Sequence, residues 1–214
     1  MNRRRATIYI VRHGATAWNE AGRIVGHADV GLSHGGRLQA EGARSLLGPC
    51  RLDLVLTSPL RRTRETARCL IEGRQVELEE EERLIELALG SWEGLTRADL
   101  RSDPEWQRWI ATPHTAATPE GKTLAEVQAR ATAALDDGLR RVPDGGGLVV
   151  VTHGGVARVL ILDFLGMPLS AYHKLRCDCA SVTAVEVDAA GELRRVLALN
   201  LTDPPRALGN ASTK

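Results

Sequence analysis

The chain alternates short apolar runs rich in β-branched residues with longer stretches in which apolar residues recur every three or four positions. That rhythm predicts strands alternating with amphipathic helices. Residues 6–11 (ATIYIV) form a buried strand that stops abruptly at Arg12-His13-Gly14. Ser33 stands as an N-cap before a helix over about residues 37–47, with Leu38, Ala40, Ala43, Leu46 and Leu47 as its apolar stripe. Residues 52–57 (LDLVLT) make a second strand, ended by Ser58-Pro59, and helical sequence resumes over 61–71. A short strand at 76–78 leads into the acidic run 79–82, which reads as a solvated edge.

Residues 90–94 are a turn. The stretch 95–122 carries Trp106, Trp109, Pro104, Pro113 and Pro119 without a long periodic element, and predicts a small irregular cap insertion able to cover a pocket. A long amphipathic helix follows over 123–142, its apolar face being Leu124, Val127, Ala131, Ala134, Leu135 and Leu139. Residues 148–152 (LVVVT) are the plainest buried strand; it ends at His153-Gly154-Gly155 and turns into a helix over 156–165. Two strands, 181–187 and 193–199, close the chain around a turn at 189–191, and 207–214 read as a flexible tail. The expected fold is α/β: a three-layer α/β/α sandwich on a mostly parallel central sheet, with the cap at about 95–122 inside a single domain spanning 1–206.

Composition narrows the class. With 28 basic against 27 acidic residues, no global field points to nucleic acid or an anionic membrane. The longest apolar runs, 148–151 and 159–162, are far short of a membrane span. Arg3-Arg4-Arg5 precedes only a short strand, without the apolar stretch and cleavage site of a signal peptide, so a cytoplasmic location is expected. Cys50, Cys69, Cys177 and Cys179 read as reduced thiols. Cys177-Asp178-Cys179 has no partner His or Cys at ligand spacing, so no metal and no cofactor are expected.

Three predicted strands end in polar groups suited to an anion: Arg12-His13-Gly14, Thr57-Ser58 and Thr152-His153-Gly154. In open α/β sheets ligands bind beyond the carboxyl ends of the strands, so these segments would share one crevice. Arg62, one helical turn past the second strand, can reach back over it. A neutral imidazole is a good nucleophile near neutral pH. Guanidiniums, a second imidazole and the amides following Gly154 would stabilise the charge on a transferred phosphoryl group without a metal.

The run from Val11 to Asn19 (VRHGATAWN), with Gly26, Asp29 and Leu32-Ser33, resembles the histidine phosphatase (phosphoglycerate mutase-like) superfamily. So do Thr57-Ser58-Pro59-Leu60-Arg61-Arg62-Thr63, Arg83-Leu84-Ile85-Glu86 with Gly90-Ser91-Trp92-Glu93-Gly94, and Val151-Thr152-His153-Gly154-Gly155, all in the family's order. The resemblance implies a metal-independent phosphomonoester hydrolase of the histidine acid type acting on a small phosphorylated metabolite. His13 would be phosphorylated, Glu86 would act as general acid and then base, and His153 would join them in catalysis. Arg12, Asn19, Arg62, His153 and Gly154 would bind the phosphoryl group. The implied partners are the small substrate, with no nucleic acid and no membrane, and homodimerisation is left open. Ala15 and Val25 depart from the family pattern, where polar residues are common. Lys122, in Pro119-Glu120-Gly121-Lys122-Thr123, replaces an acid and favours a more anionic substrate. A cofactor-dependent phosphoglycerate mutase and a non-catalytic phosphoanion-binding module are the alternatives; the short 95–122 stretch weighs against the mutase, and retention of His13 and Glu86 against the module.

Overall fold

Residue alternation along the strands decides how the layers form. In the computed structural model, which describes residues 5–188 and 194–205, strand β1 (Arg5–Arg12) sends Ile8 and Ile10 to one face and Tyr9 and Val11 to the other. Strands β2 (Leu54–Thr57) and β4 (Gly146–Thr152) divide in the same way: Leu54, Leu56, Leu148 and Val150 face one core, and Val55, Val149 and Val151 face the other. Strands buried on both sides are continuously apolar, as in sheets covered on both faces. Helices α5 (Leu124–Arg141) and α6 (Gly154–Phe164) cover the first face, and α2 (His34–Leu46) and α3 (Arg61–Leu70) cover the second.

The sheet is completed by β3 (Glu77–Glu80), β5 (Val182–Asp188) and β6 (Arg194–Leu201), in the order β3-β2-β4-β1-β5-β6. The first four are mutually parallel, while β5 runs antiparallel to β1 and to β6. The expected three-layer α/β/α sandwich is therefore present, with its antiparallel character confined to the closing pair. Register levels the strand ends: Arg12 lies opposite Thr152, and Thr57 opposite Val151. The residues that follow β1, β2 and β4 consequently emerge together at one edge.

Several local expectations are corrected. The stretch 95–122 is not irregular throughout, because it contains helix α4 (Pro104–Ala111), started by Pro104 and by Asp103, whose carboxylate caps the amides of Glu105 and Trp106. Trp106 and Trp109 are buried and meet Trp92 edge-on at 5.2 and 6.1 Å, so they bind this segment into the core. Leu38 is 54% exposed; the buried face of α2 is Gly36, Ala40 and Ala43, continued by Leu47, and Leu38 lies on the opposite side. The acidic run is in part an edge strand, β3, rather than a segment following one. A four-residue helix α1 (Ala17–Glu20) was not anticipated. The turn at 189–191 and the tail at 207–214 lie outside the described residues. No helix among those described is long and apolar enough to cross a membrane.

Candidate active site

His13 follows β1 directly, and its backbone continues the sheet edge through a bond from its amide to Thr152 O at 2.9 Å. Its side chain is buried. Nδ1 lies 2.7 Å from the Gly14 carbonyl, which can only accept, so Nδ1 carries the proton and Nε2 presents a lone pair. Arg62 Nε–H points at that lone pair from 3.2 Å. The same Nε–H lies 3.2 Å from Nδ1 of His153, which must likewise be an acceptor. The remaining proton of a neutral His153 then sits on Nε2 and is donated to Ser58 Oγ at 2.7 Å. Donor chemistry alone thus assigns opposite tautomers to two imidazoles whose centroids are 5.3 Å apart. Burial, followed by the charges of Arg62 and other neighbours, pushes both histidines well below their ordinary 6.5, so both are neutral near pH 7.

Arg62 is buried at the start of α3. Burial pulls its guanidinium down to about 10, against the attraction of Glu86, and it stays charged at neutral pH. Its Nη1 and Nη2 donate to Ala28 O at 2.8 Å and Gly26 O at 2.7 Å. Of its five N–H groups, two remain for an incoming anion. The 26–28 loop is in turn held by Glu93, which accepts from the amides of His27 at 2.8 Å and Ala28 at 3.2 Å. Gly26 has φ +55°, and a Cβ there would collide with the Glu93 carboxylate. Glu93 therefore positions the loop that positions Arg62.

Glu86 reaches the same edge from the loop after the 3₁₀ turn Glu82–Leu84. One carboxylate oxygen accepts from the Gly155 amide at 3.1 Å, and the other from the Leu87 amide at 3.0 Å. Gly155 has no Cβ because one would strike that carboxylate. The Glu86 carbonyl accepts from His27 Nε2 at 2.8 Å and Arg130 Nη2 at 3.2 Å, and Arg130 also binds the carbonyls of Arg83 and Ile85. Glu86, His27, Lys122 and Arg130 share a cavity of about 220 Å³.

Arg12 is half-buried and lies against Gly154; its Nη1 donates to Cys177 O at 2.7 Å. Its Nε is buried with no hydrogen-bond partner among the described residues, a donor held in reserve for a ligand. Asn19 stands apart from this cluster. Its side-chain oxygen completes a capping box with Thr16 at the start of α1, accepting from the Thr16 amide and hydroxyl at 3.0 Å each, and the residue borders a separate cavity of about 590 Å³ with Arg12. Ala15 is buried, its amide donating to Gln39 Oε1 at 2.9 Å, and Val25 is buried under the 26–28 loop. Cys177 and Cys179 are free, with Cys177 Sγ 3.6 Å from Ser181 Oγ. No group of three or more His, Cys, Asp or Glu among the described residues is arranged to hold a metal ion.

Sequence reasoning gave no role to Ser58, Glu93 or Arg130. The first two lie inside recognised blocks, so a signal existed; Arg130 is one arginine on a helix face and carries none.

A family model of the histidine phosphatase superfamily (branch 1) matches residues 8–202. The chain belongs to that superfamily. It is 32% identical over 197 residues to phosphoserine phosphatase 1 of Hydrogenobacter thermophilus, covering 91% of this chain and 92% of that one. It is also 34% identical over 181 residues to a probable phosphoglycerate mutase of Serratia proteamaculans, covering 84% of each. Among solved structures, the mycobacterial glucosyl-3-phosphoglycerate phosphatase in complex with VO3 superposes with a TM-score of 0.81 at 29% identity, covering 92% of this chain and 98% of that one. These phosphatase relatives support phosphoester hydrolysis by this superfamily member.

Proposed function

We propose that the protein is a metal-independent phosphomonoesterase working through a phosphohistidine at His13 on a small phosphorylated metabolite. The observation that carries this reading is the His13 tautomer: Nε2 is the unprotonated nitrogen, and it faces Arg62 and His153. Attack by Nε2 forms an N–P bond as the ester P–O bond breaks. The Glu86 carboxyl gives a proton to the departing oxygen, and afterwards takes one from the water that forms the new P–O bond and releases Nε2. The reserved Arg12 Nε–H, the two free Arg62 N–H groups and the amides opening α6 suit the equatorial oxygens. The mutase alternative returns the phosphoryl group to a second hydroxyl. The packing of α4 into the tryptophan cluster favours water as acceptor, since this segment is anchored in the core.

The test is hydrolysis of p-nitrophenyl phosphate in excess chelator. Wild-type protein is expected to turn over undiminished, and His13→Ala to lose both turnover and acid-labile phosphoenzyme. Abolition by the chelator, or a fully active His13→Ala, overturns the mechanism. Transfer to an acceptor alcohol without phosphate release selects the mutase.

A further inference from the structure

The 220 Å³ cavity beside Glu86 has a composition that the phosphoryl chemistry does not use. Its floor is apolar, built in part from Leu87 and the buried Val127. Its titratable rim is His27, Glu86, Lys122, Glu126 and Arg130. Four of these five are already engaged. His27 Nε2 is on the Glu86 carbonyl, and Arg130 is spent on three backbone carbonyls. Glu126 Oε2 closes a capping box with the Thr123 amide at 2.8 Å and hydroxyl at 3.1 Å. The Glu86 carboxylate is on the Gly155 and Leu87 amides. Lys122 is exposed, and its ammonium has no hydrogen bond or ion pair among the described residues.

We propose that this cavity receives the non-phosphate half of the substrate and that Lys122 selects an alcohol bearing a carboxylate. The inference rests on the hydrolase reading above. Glu86 belongs both to the cavity wall and to the amides opening α6 beside the histidines, so a leaving group that takes the Glu86 proton must lie in or at this cavity. The volume, below the roughly 300–1,000 Å³ usual for drug-sized ligands, suits a leaving group of a few carbons. Its carbon skeleton would lie on the apolar floor with the carboxylate at the rim, where the unpaired cation stands.

Two substrates differing in one group test this: 3-phosphoglycerate and glycerol 3-phosphate, with p-nitrophenyl phosphate as the uncharged-leaving-group control. At low ionic strength the wild type is expected to favour 3-phosphoglycerate in kcat/KM, chiefly through KM. Lys122→Gln should reduce that preference about fivefold, the scale of one exposed ion pair, and Lys122→Glu further, with turnover of the control unchanged. The affinities of His13→Ala for the two phosphoesters should follow the same order and lose it with Lys122→Gln. A preference that survives both Lys122 variants, or a wild type without preference, overturns the subsite. Failure of the wild type to hydrolyse the control overturns the hydrolase reading instead, and the binding ratio in His13→Ala then judges the subsite on its own.

Discussion

At the scale of single residues, protons are the decisive detail. His153 reaches the site with Nδ1 as acceptor, because Nε2 is committed to Ser58. To donate to a phosphoryl oxygen from Nδ1, the ring must gain a proton, so anion binding is expected to be coupled to proton uptake. Sulfate, which does not titrate near neutrality, isolates that effect. Calorimetry in buffers of different ionisation enthalpy should show net uptake on binding, and binding should tighten as pH falls; no uptake would mean that His153 does not donate. Ser58→Ala leaves Nε2–H without its partner in a buried place, at a cost of about 1–3 kcal/mol, and is expected to lower kcat while p-nitrophenyl phosphate still binds. His13, Arg62 and His153 could be nominated from sequence because each stands beside an apolar run that ends abruptly. Their tautomers could not, because a tautomer depends on which donor from another element faces which nitrogen.

Elements meet here through close backbone approaches. A Cβ on Gly36, in the first turn of α2, would overlap the Ala15 carbonyl, and one on Gly14 would overlap the Gly36 carbonyl. The loop bearing the nucleophile is thereby pressed against α2. Gly36→Ala is expected to destabilise by about 1–3 kcal/mol through overpacking, lowering Tm by roughly 2–4 °C for each kcal/mol. An unchanged Tm would show that the loop has room to move. Glu93 acts at the same scale, holding the 26–28 loop on which Arg62 hangs. Glu93→Gln puts an amide donor among backbone donors, and is expected to weaken sulfate binding and kcat by roughly tenfold while the fold survives, with Glu93→Asp recovering part. A Tm loss with unaltered sulfate affinity would instead make Glu93 a structural residue only.

For the whole molecule, neutrality of the buried imidazoles has a thermodynamic consequence. Both histidines bind a proton less readily folded than unfolded. Below the ordinary 6.5 the unfolded chain therefore holds more protons, and stability falls with pH down to the lowered folded values. Above that window the contribution is complete. The Tm is expected to be flat above about pH 7 and to decline below pH 6.5, more shallowly in His153→Asn. An identical decline in that variant would assign the acid sensitivity to other groups.

The sequence by itself determined the layer architecture and the edge where chemistry gathers. Both are written in local periodicity: strands apolar on both faces must be covered by helices, and their polar ends must then emerge together. It also marked Glu86, though only through resemblance, because nothing around that carboxylate distinguishes it locally. Only the tertiary structure decided the place of 95–122, where short range showed prolines and two tryptophans while the stabilising contacts come from Trp92, far from α4 until the chain has folded. It alone brought Arg130 to the Glu86 loop, turned Asn19 to the cap of α1, and left Lys122 without a partner beside the cavity. Periodicity reports which face of an element is buried. Which donor meets which acceptor depends on how separate elements pack, and no local pattern records that.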